Sequence, residues 1–282
     1  MTVLVLAVAV LWAVLCSAPA LATPAFVNGL AIPAGTTDLS GDPIVLNQRL
    51  GMFSDLYYDR LRDAWYGLGD RGPGGGTLPY DTRVQRFPID IDPTTGAISN
   101  FQVAQTIRFT DKMGTKAFTG LAPNPSEVLG RSFDPEGFVV RGNGRVLVSD
   151  EYGPSLYEFN ADGTFRRAFN IPANLIPRDS VTGVPSFAGD PAANGAGKRT
   201  NRGFEGLTLT PGGTFAYAML QSAMLDEGAG NGVYARIVKF DVATGNVVAQ
   251  FAYQMEGSSQ GRGTSALVAL HDHELLVLER NN

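Results

Sequence analysis

Apolar and polar positions alternate in short runs along most of this chain, and the clearest case is the stretch from Ser132 to Asn160. Apolar residues fill residues 138–140 and again residues 146–148, and a Gly-Asn-Gly turn at 142–144 separates the two runs. Strand side chains point alternately to the two faces, and Asn-Gly readily adopts the positive φ that tight hairpins need. The pattern therefore predicts a β-hairpin.

The charge of this hairpin lies at one end. Asp134 and Glu136 open the first strand, and Asp150 and Glu151 close the second. In an antiparallel pair the start of one strand lies beside the end of the other. The hairpin is therefore expected to gather up to four carboxylates at one edge, next to the sharp turn at Gly153-Pro154.

Three further segments repeat this arrangement of two short strands with polar residues at the same end. In each copy, a polar residue at the start of the first strand and another near the end of the second lie 14 to 16 positions apart. The pairs are Asp55 with Asp70, Glu136 with Asp150, Glu205 with Gln221, and Ser265 with Glu279. A repeated unit of about four strands is typical of a β-propeller blade. A two-sheet sandwich also has many short strands, but it gives no reason for a polar pair at the same hairpin position in every copy.

The repeats predict an all-β fold, a β-propeller with three blades and part of a fourth. Helical periodicity is nearly absent, and 34 glycines with only 17% charged residues suit many short strands and turns. Because propellers close with about four to eight blades, we expect the chain to be truncated inside a blade at its C-terminus.

The first 22 residues have the pattern of a signal peptide, which leaves residues 23–282 as the propeller domain. Val3–Leu15 is an apolar run too short to span a bilayer, and Ala20-Leu21-Ala22 is a small-x-small cleavage site. No Lys or Arg precedes the run, so an uncleaved anchor is the alternative. Cleavage would also remove the single cysteine, Cys16. We expect an extracytoplasmic protein, periplasmic or secreted, without disulfides.

The formal net charge of −5 argues against nucleic acid and anionic membranes as partners, because both bind basic patches. We expect a monomer that takes a small-molecule substrate and contacts no membrane beyond the signal segment.

The recurring polar residues are the candidate site, because the innermost strands of a propeller line its central channel and would bring these residues to one mouth. Clustered carboxylates repel each other unless a cation or an arginine lies among them, and oxygen-rich clusters suit Ca²⁺. The predicted metal ligands are Asp55, Asp70, Glu136, Asp150, Glu205 and Glu279. The predicted catalytic residues are Glu136, Asp150, Glu151 and Glu205, and the predicted substrate-binding residues are Arg71, Arg202, Arg280 and Tyr152. For any one of these carboxylates, capping of neighbouring backbone N–H groups is the alternative.

Other motifs fit their usual chemistry less well. Residues 257–261 match G-x-S-x-G, but they lie in a polar loop rather than between a strand and a helix. Gly195-Ala-Gly-Lys198 lacks the flanking residues of a phosphate-binding loop. His271 and His273 could bind a metal, but a solvated hairpin turn explains them more simply.

Four motifs together resemble one known family. They are Asp134-Pro-Glu136-Gly, Ser149-Asp-Glu151-Tyr-Gly-Pro154, Asn201-Arg-Gly-Phe-Glu205-Gly and Leu278-Glu-Arg280. They are similar to the phytase-like family of exported bacterial propellers, described as having esterase-like activity. The resemblance runs from about Asp55 to the last residues, and it implies a propeller and phosphoester hydrolysis.

The leading functional hypothesis is a Ca²⁺-assisted hydrolase of phosphate or other esters, with carboxylates at the channel mouth and arginines on the substrate. One alternative is a non-catalytic propeller that binds a ligand or partner at the same mouth. Another is a metal-dependent propeller that acts on lactones.

Overall fold

The chain folds into a series of antiparallel sheets. A computed structural model describes residues 26–50, 53–187, 193–229, 231–256 and 262–280. The strands are β1 (Phe53–Asp59), β2 (Ala64–Gly69), β3 (Arg83–Phe87), β4 (Asp90–Ile91), β5 (Ile98–Ser99), β6 (Gln105–Arg108), β7 (Pro135–Val140), β8 (Val146–Asp150), β9 (Ser155–Phe159), β10 (Phe165–Ala168), β11 (Arg178–Asp179), β12 (Asn194–Ala196), β13 (Phe204–Leu209), β14 (Phe215–Leu220), β15 (Tyr234–Asp241), β16 (Val247–Gln254), β17 (Gly263–His271) and β18 (Glu274–Arg280). Short 3₁₀ helices lie at Val45–Gln48 and Ala173–Leu175.

The described residues form three sheets of four strands and three of two strands, β4-β5, β11-β12 and β17-β18, and four of these six sheets correspond to the predicted blades. Their orders are β1-β2-β3-β6, β7-β8-β9-β10, β13-β14-β15-β16 and β17-β18, all antiparallel. This arrangement confirms the predicted all-β propeller fold, and the number of blades stays a prediction. The predicted signal peptide (1–22), including Cys16, and the G-x-S-x-G segment lie outside the described residues. No helix in the described part of the chain is long and apolar enough to cross a membrane.

The hydrophobic core lies between successive blades. Leu68 and Phe138 belong to the cluster between the first two blades, and Leu147 and Phe204 belong to the cluster between the second and third. A third cluster includes Leu267 and lies between the third blade and the final strand pair. Strands that are covered on both faces are apolar almost throughout, as in β8, where all five residues are buried.

The innermost strands β1, β7, β13 and β17 are neighbours in that order. Two glycines allow them to approach closely. A Cβ on Gly137 of β7 would lie 2.6 Å from the Cβ of Leu207 on β13. A Cβ on Gly206 of β13 would lie 2.9 Å from the Cβ of Leu267 on β17. The Glu-Gly pairs of the repeat thus place a carboxylate directly before the residue at which the strands meet.

Every inner strand has an irregularity in its pairing at the same position. In β7 the register shifts between Pro135 and Gly137, which leaves Glu136 as the extra residue. The extra residues of the other inner strands are Ser54, Glu205 and Ser265. Bulges of this kind redirect a side chain out of the regular ladder and are frequent near functional sites.

The register also corrects the alignment of the repeats. Pro135 pairs with Asp150, and the corresponding residue of the third blade, Phe204, pairs with Leu220. The residue after this pair is Glu151 in the second blade and Gln221 in the third. The counterparts of Glu151 are therefore Asp70, Gln221 and Arg280, whereas the sequence spacing had aligned Asp150 with Asp70 and Gln221. The spacing failed because the hairpin connections differ in length: the last paired residues are Asp59 with Ala64, Val140 with Val146, and Leu209 with Ala216.

Candidate functional site

Three carboxylates converge where the first two blades meet. One oxygen from each of Asp134, Glu136 and Glu151 lies within 4.8 Å of the others, and we call these residues the acidic cluster. Asp134 and Glu151 are buried, and Glu136 is partly exposed. Asp134 opens the predicted hairpin but was not among the predicted ligands. It precedes the strand, in a loop whose side-chain direction the period-two pattern does not give.

An arginine from the first blade contacts this cluster. The Arg71 guanidinium lies 2.7 Å from Asp134 Oδ2 and 4.0 Å from Glu151 Oε2. The Arg71 backbone N–H also donates to Asp134 Oδ1 at 3.1 Å. Arg71 was predicted to bind substrate, and here it joins the first blade to the second through the cluster.

Burial raises the pKa values of the carboxylates in the acidic cluster. Burial first, and the nearby charge of Glu205 second, raises the pKa of Glu151 to about 7, against the opposing effects of Lys198 and Arg71. Burial together with Glu151 raises the pKa of Asp134. Burial together with Asp134 and Glu205 raises the pKa of Glu136. Near neutral pH the cluster therefore favours bound protons or a bound cation.

The cluster also has an oxygen without a partner. Glu151 is 2% exposed, and its Oε1 accepts no hydrogen bond from the described residues. The same is true of Gln221 Oε1 and Glu205 Oε2 on the next blade. Buried oxygens normally have a hydrogen-bond donor or a cation as partner. A set of carboxylate and amide oxygens with free lone pairs fits a hard cation such as Ca²⁺.

Lys198 is a second charged residue that was not among the predicted site residues. It comes from the long segment between the second and third blades, it is 1% exposed, and its charge acts on Glu151, Asp150 and Asp134. The segment folds back because Lys198 N–H donates to the Leu175 carbonyl at 2.9 Å. Its position depends on this tertiary contact, so no local pattern could have identified it.

Asp150 has its oxygens engaged by the protein. It is fully buried and accepts hydrogen bonds from Asp134 N (2.8 Å), Tyr152 N (3.2 Å), Gly153 N (2.8 Å) and Ser155 Oγ (2.7 Å). These bonds fix the backbone of Asp134 and the turn after β8. This geometry is the capping arrangement that the sequence left as an alternative.

Three other predicted ligands also accept hydrogen bonds from the protein. Asp55 accepts from Phe138 N at 2.7 Å, and Asp70 accepts from Gly72 N at 2.7 Å. Glu279 accepts from Tyr253 Oη at 2.7 Å and from Glu256 N at 2.9 Å. Their roles as metal ligands remain predictions, as does that of Asp150.

Glu205 is influenced by the acidic cluster and by two arginines. Burial raises the pKa of Glu205, and a hydrogen bond from Gln221 and the charges of Arg280 and Arg202 oppose this rise. Arg202 donates to the Arg262 carbonyl at 3.2 Å. Burial and the neighbouring Arg280 lower its pKa. Glu205 therefore experiences both the negative charge of Asp134 and the positive charge of Arg280 and Arg202.

Tyr152, which was predicted to bind substrate, bonds to the protein backbone and lies beside Arg71. Its hydroxyl donates to the Gly120 carbonyl at 2.7 Å, and the Arg71 guanidinium lies 6.0 Å from its ring centre.

A Cβ on Gly203 would lie 2.2 Å from the Glu151 carbonyl oxygen, so the third blade approaches the cluster closely at this glycine. His271 and His273 are exposed on the β17–β18 turn.

Comparison with known proteins agrees with the resemblance noted in the sequence. Residues 48–282 match the phytase-like family, described as "Esterase-like activity of phytase". The chain belongs to this family. Every residue of the acidic cluster, Lys198, Glu205 and the arginines lies within the matched range.

One relative of this phytase-like chain is an uncharacterized secreted protein of Arthroderma benhamiae. It is 30% identical over 239 residues, and the match covers 67% of this chain and 46% of the relative. The phytase-like chain thus spans less than half the length of this curated relative.

Among solved structures, the Dos1 propeller is 11% identical with a TM-score of 0.37, over 78% of this chain and 40% of that one. Streptogramin B lyase is also 11% identical with a TM-score of 0.35, over 81% of this chain and 49% of that one.

Proposed function

We propose that this protein is an extracytoplasmic hydrolase of phosphate or other esters that works with a bound divalent cation, of which Ca²⁺ fits best. The acidic cluster with its unpartnered Glu151 oxygen carries the proposal. Membership of a family described by esterase-like activity supports it. The predicted signal peptide and the secreted fungal relative support the location outside the cytoplasm.

Asp134, Glu136 and Glu151 would hold the cation. When bound, such an ion supplies Lewis acidity to a phosphoryl or carbonyl oxygen and makes water a stronger nucleophile at neutral pH. Arg71 and Lys198 offset part of the cluster's charge and hold its carboxylates in place. With three carboxylates and two cationic side chains, the cluster retains a net negative charge that favours a divalent ion.

Glu205 would act as the general base. One of its oxygens interacts with Gln221, and Oε2 has no partner among the described residues. A carboxylate with a raised pKa can take a proton from an attacking water and return it to the leaving group. The charges of Arg202 and Arg280 act on Glu205, and their guanidinium groups would bind the anionic oxygens of an ester.

The test is hydrolysis by the full-length chain of a phosphomonoester, a short acyl ester and a lactone, each with Ca²⁺ and with chelator. We expect Ca²⁺-dependent turnover of at least one ester. Glu136→Gln and Glu205→Gln are expected to lower kcat by about 100-fold or more while retaining the fold. Glu274→Gln is the matched control, since Glu274 is exposed on the β17–β18 turn.

The pattern of failure separates the alternatives. Turnover of no substrate, together with no change of melting temperature on adding Ca²⁺, would overturn the proposal. A rise in melting temperature with Ca²⁺ but no turnover would indicate the non-catalytic binding propeller. Turnover of the lactone alone would indicate the lactonase-like alternative.

A further inference from the structure

A cavity of about 500 Å³ lies beside the first blade, between the N-terminal segment and the loop that follows β2. Its walls are mostly apolar, and Asp70 and Arg49 are its charged lining residues. The apolar wall residues are Ile32, Pro33, Leu46, Leu50, Pro73 and Tyr80. Cavities of about 300 to 1,000 Å³ with apolar walls and few polar groups are typical of small-molecule sites.

The walls are held by buried contacts. Leu50 and Tyr80 are each 3% exposed. The Arg83 guanidinium lies 4.2 Å from the Tyr80 ring centre and pairs with Asp38 at 2.8 Å, and both charges are fully buried. This pair ties the N-terminal segment to the first blade, so the cavity is a fixed feature of the fold.

One glycine is required for this packing. Gly72 has φ +77°, and a Cβ there would lie 2.2 Å from the Tyr80 ring. The residue lines the cavity beside Pro73. Any side chain at this position would both strain the backbone and displace Tyr80.

The cavity is adjacent to the acidic cluster. Asp70, which lines it, occupies the same position in the first blade as Glu151 does in the second. The charge of Asp70 acts on both Asp134 and Glu136. The next residue, Arg71, contacts Asp134 at 2.7 Å. The wall of the cavity and the acidic cluster are therefore joined through two consecutive residues, Asp70 and Arg71.

We propose that this cavity binds a hydrocarbon part of the substrate, so that the preferred substrates are amphipathic esters rather than small, fully polar ones. The inference rests on the proposed hydrolase function. An apolar group that enters the cavity leaves water and gains contact with the leucine, isoleucine, proline and tyrosine walls. A polar substrate of the same length would gain nothing there.

The first test compares kcat/KM within two series of substrates. One series is p-nitrophenyl acetate, butyrate and octanoate, and the other is glycerol phosphate and naphthyl phosphate. Burial of one methylene corresponds to about fourfold in kcat/KM. We expect kcat/KM to be about tenfold or more higher for the octanoate than for the butyrate, or for naphthyl phosphate than for glycerol phosphate. The series that responds shows whether the acyl or the alcohol part enters the cavity. Equal kcat/KM values across both series would overturn the inference.

A pair of leucine variants tests the location. Leu46 lines the cavity, whereas Leu39 is an exposed residue of the same segment that does not. We expect Leu46→Arg to reduce the ratio of long-chain to short-chain kcat/KM about tenfold, and Leu39→Arg to leave it unchanged. Circular dichroism confirms that both variants are folded. An unchanged ratio in folded Leu46→Arg would overturn the inference.

A binding measurement separates this inference from the proposed function. Isothermal titration calorimetry with octanoate and with acetate requires no turnover. We expect octanoate to bind the wild-type chain about tenfold more tightly than acetate, and this preference to disappear in Leu46→Arg. If this result holds while no ester is hydrolysed, the cavity is a binding site and the hydrolase proposal fails. Equal binding of the two acids would overturn the cavity proposal whatever the activity.

Discussion

Raising the pH from about 5 to about 8 without divalent cations is expected to destabilise this protein, and Ca²⁺ is expected to reverse the loss. Glu151 causes this effect, because its pKa is raised from 4.5 to about 7 in the folded chain. Between these values the folded state binds more protons than the unfolded state. The contribution to stability is therefore full below about pH 4.5 and is lost as the pH rises through about 7.

The magnitude follows from the same values. A change in pKa from 4.5 to about 7 in a group that is 2% exposed corresponds to about 3 kcal/mol. For a chain of this size that loss lowers the melting temperature by about 6–12 °C. The pKa values of Asp134 and Glu136 are raised in the same direction, so they add to the trend. A cation on the cluster replaces the protons, so the stabilisation by Ca²⁺ is expected to be larger at pH 8 than at pH 5.

The assay is thermal unfolding of the full chain across this pH range, in chelator and in Ca²⁺. Glu151→Gln removes the titrating group and is expected to flatten the profile, whereas Glu274→Gln on the exposed turn is expected to keep the wild-type slope. Stability that is constant or rising from pH 5 to 8 in chelator would refute the reasoning. An unchanged slope in Glu151→Gln would also refute it.

Two further substitutions test how the cluster is held. Lys198→Met removes a buried positive charge beside the carboxylates, so we expect urea unfolding to show a loss of about 3 kcal/mol at pH 8 and less at pH 5. Exposed Lys116→Met is its control, and an equal loss at both pH values would contradict the electrostatic role. Gly203→Ala places a Cβ 2.2 Å from the Glu151 carbonyl oxygen, so we expect a loss of about 2 kcal/mol and weaker Ca²⁺ binding by calorimetry. Gly212→Ala, whose nearest atom would be 3.8 Å away, is the control, and wild-type stability in Gly203→Ala would show that the strands can separate there.

The sequence predicted the fold well because blade hairpins are local structures. Period-two alternation and glycine turns determine each hairpin, and the repeat of a polar position implied the propeller. The same reasoning predicted Glu136, Glu151 and Glu205 at one mouth, and in the structure the charge of Glu205 acts on both of the other carboxylates.

The remaining features depend on contacts that no local pattern contains. The hairpin connections differ in length from copy to copy, so the spacing aligned Asp150 with residues that correspond to Glu151. Asp134 joins the cluster through a contact with Arg71 of the preceding blade. Lys198 arrives from a segment whose path is set by bonds to distant residues such as Leu175.

The bulge in each inner strand provides a side chain that can be changed without altering the hydrogen-bonded pairing of the sheet. Ser54, Glu136, Glu205 and Ser265 are the residues left out of the regular pairing. Replacing such a residue removes a functional group but none of the ladder bonds that hold the blade. The propeller can therefore exchange ligands at the mouth by single substitutions, and Ser54 and Ser265 are the positions at which a new carboxylate could be introduced to extend or relocate the site.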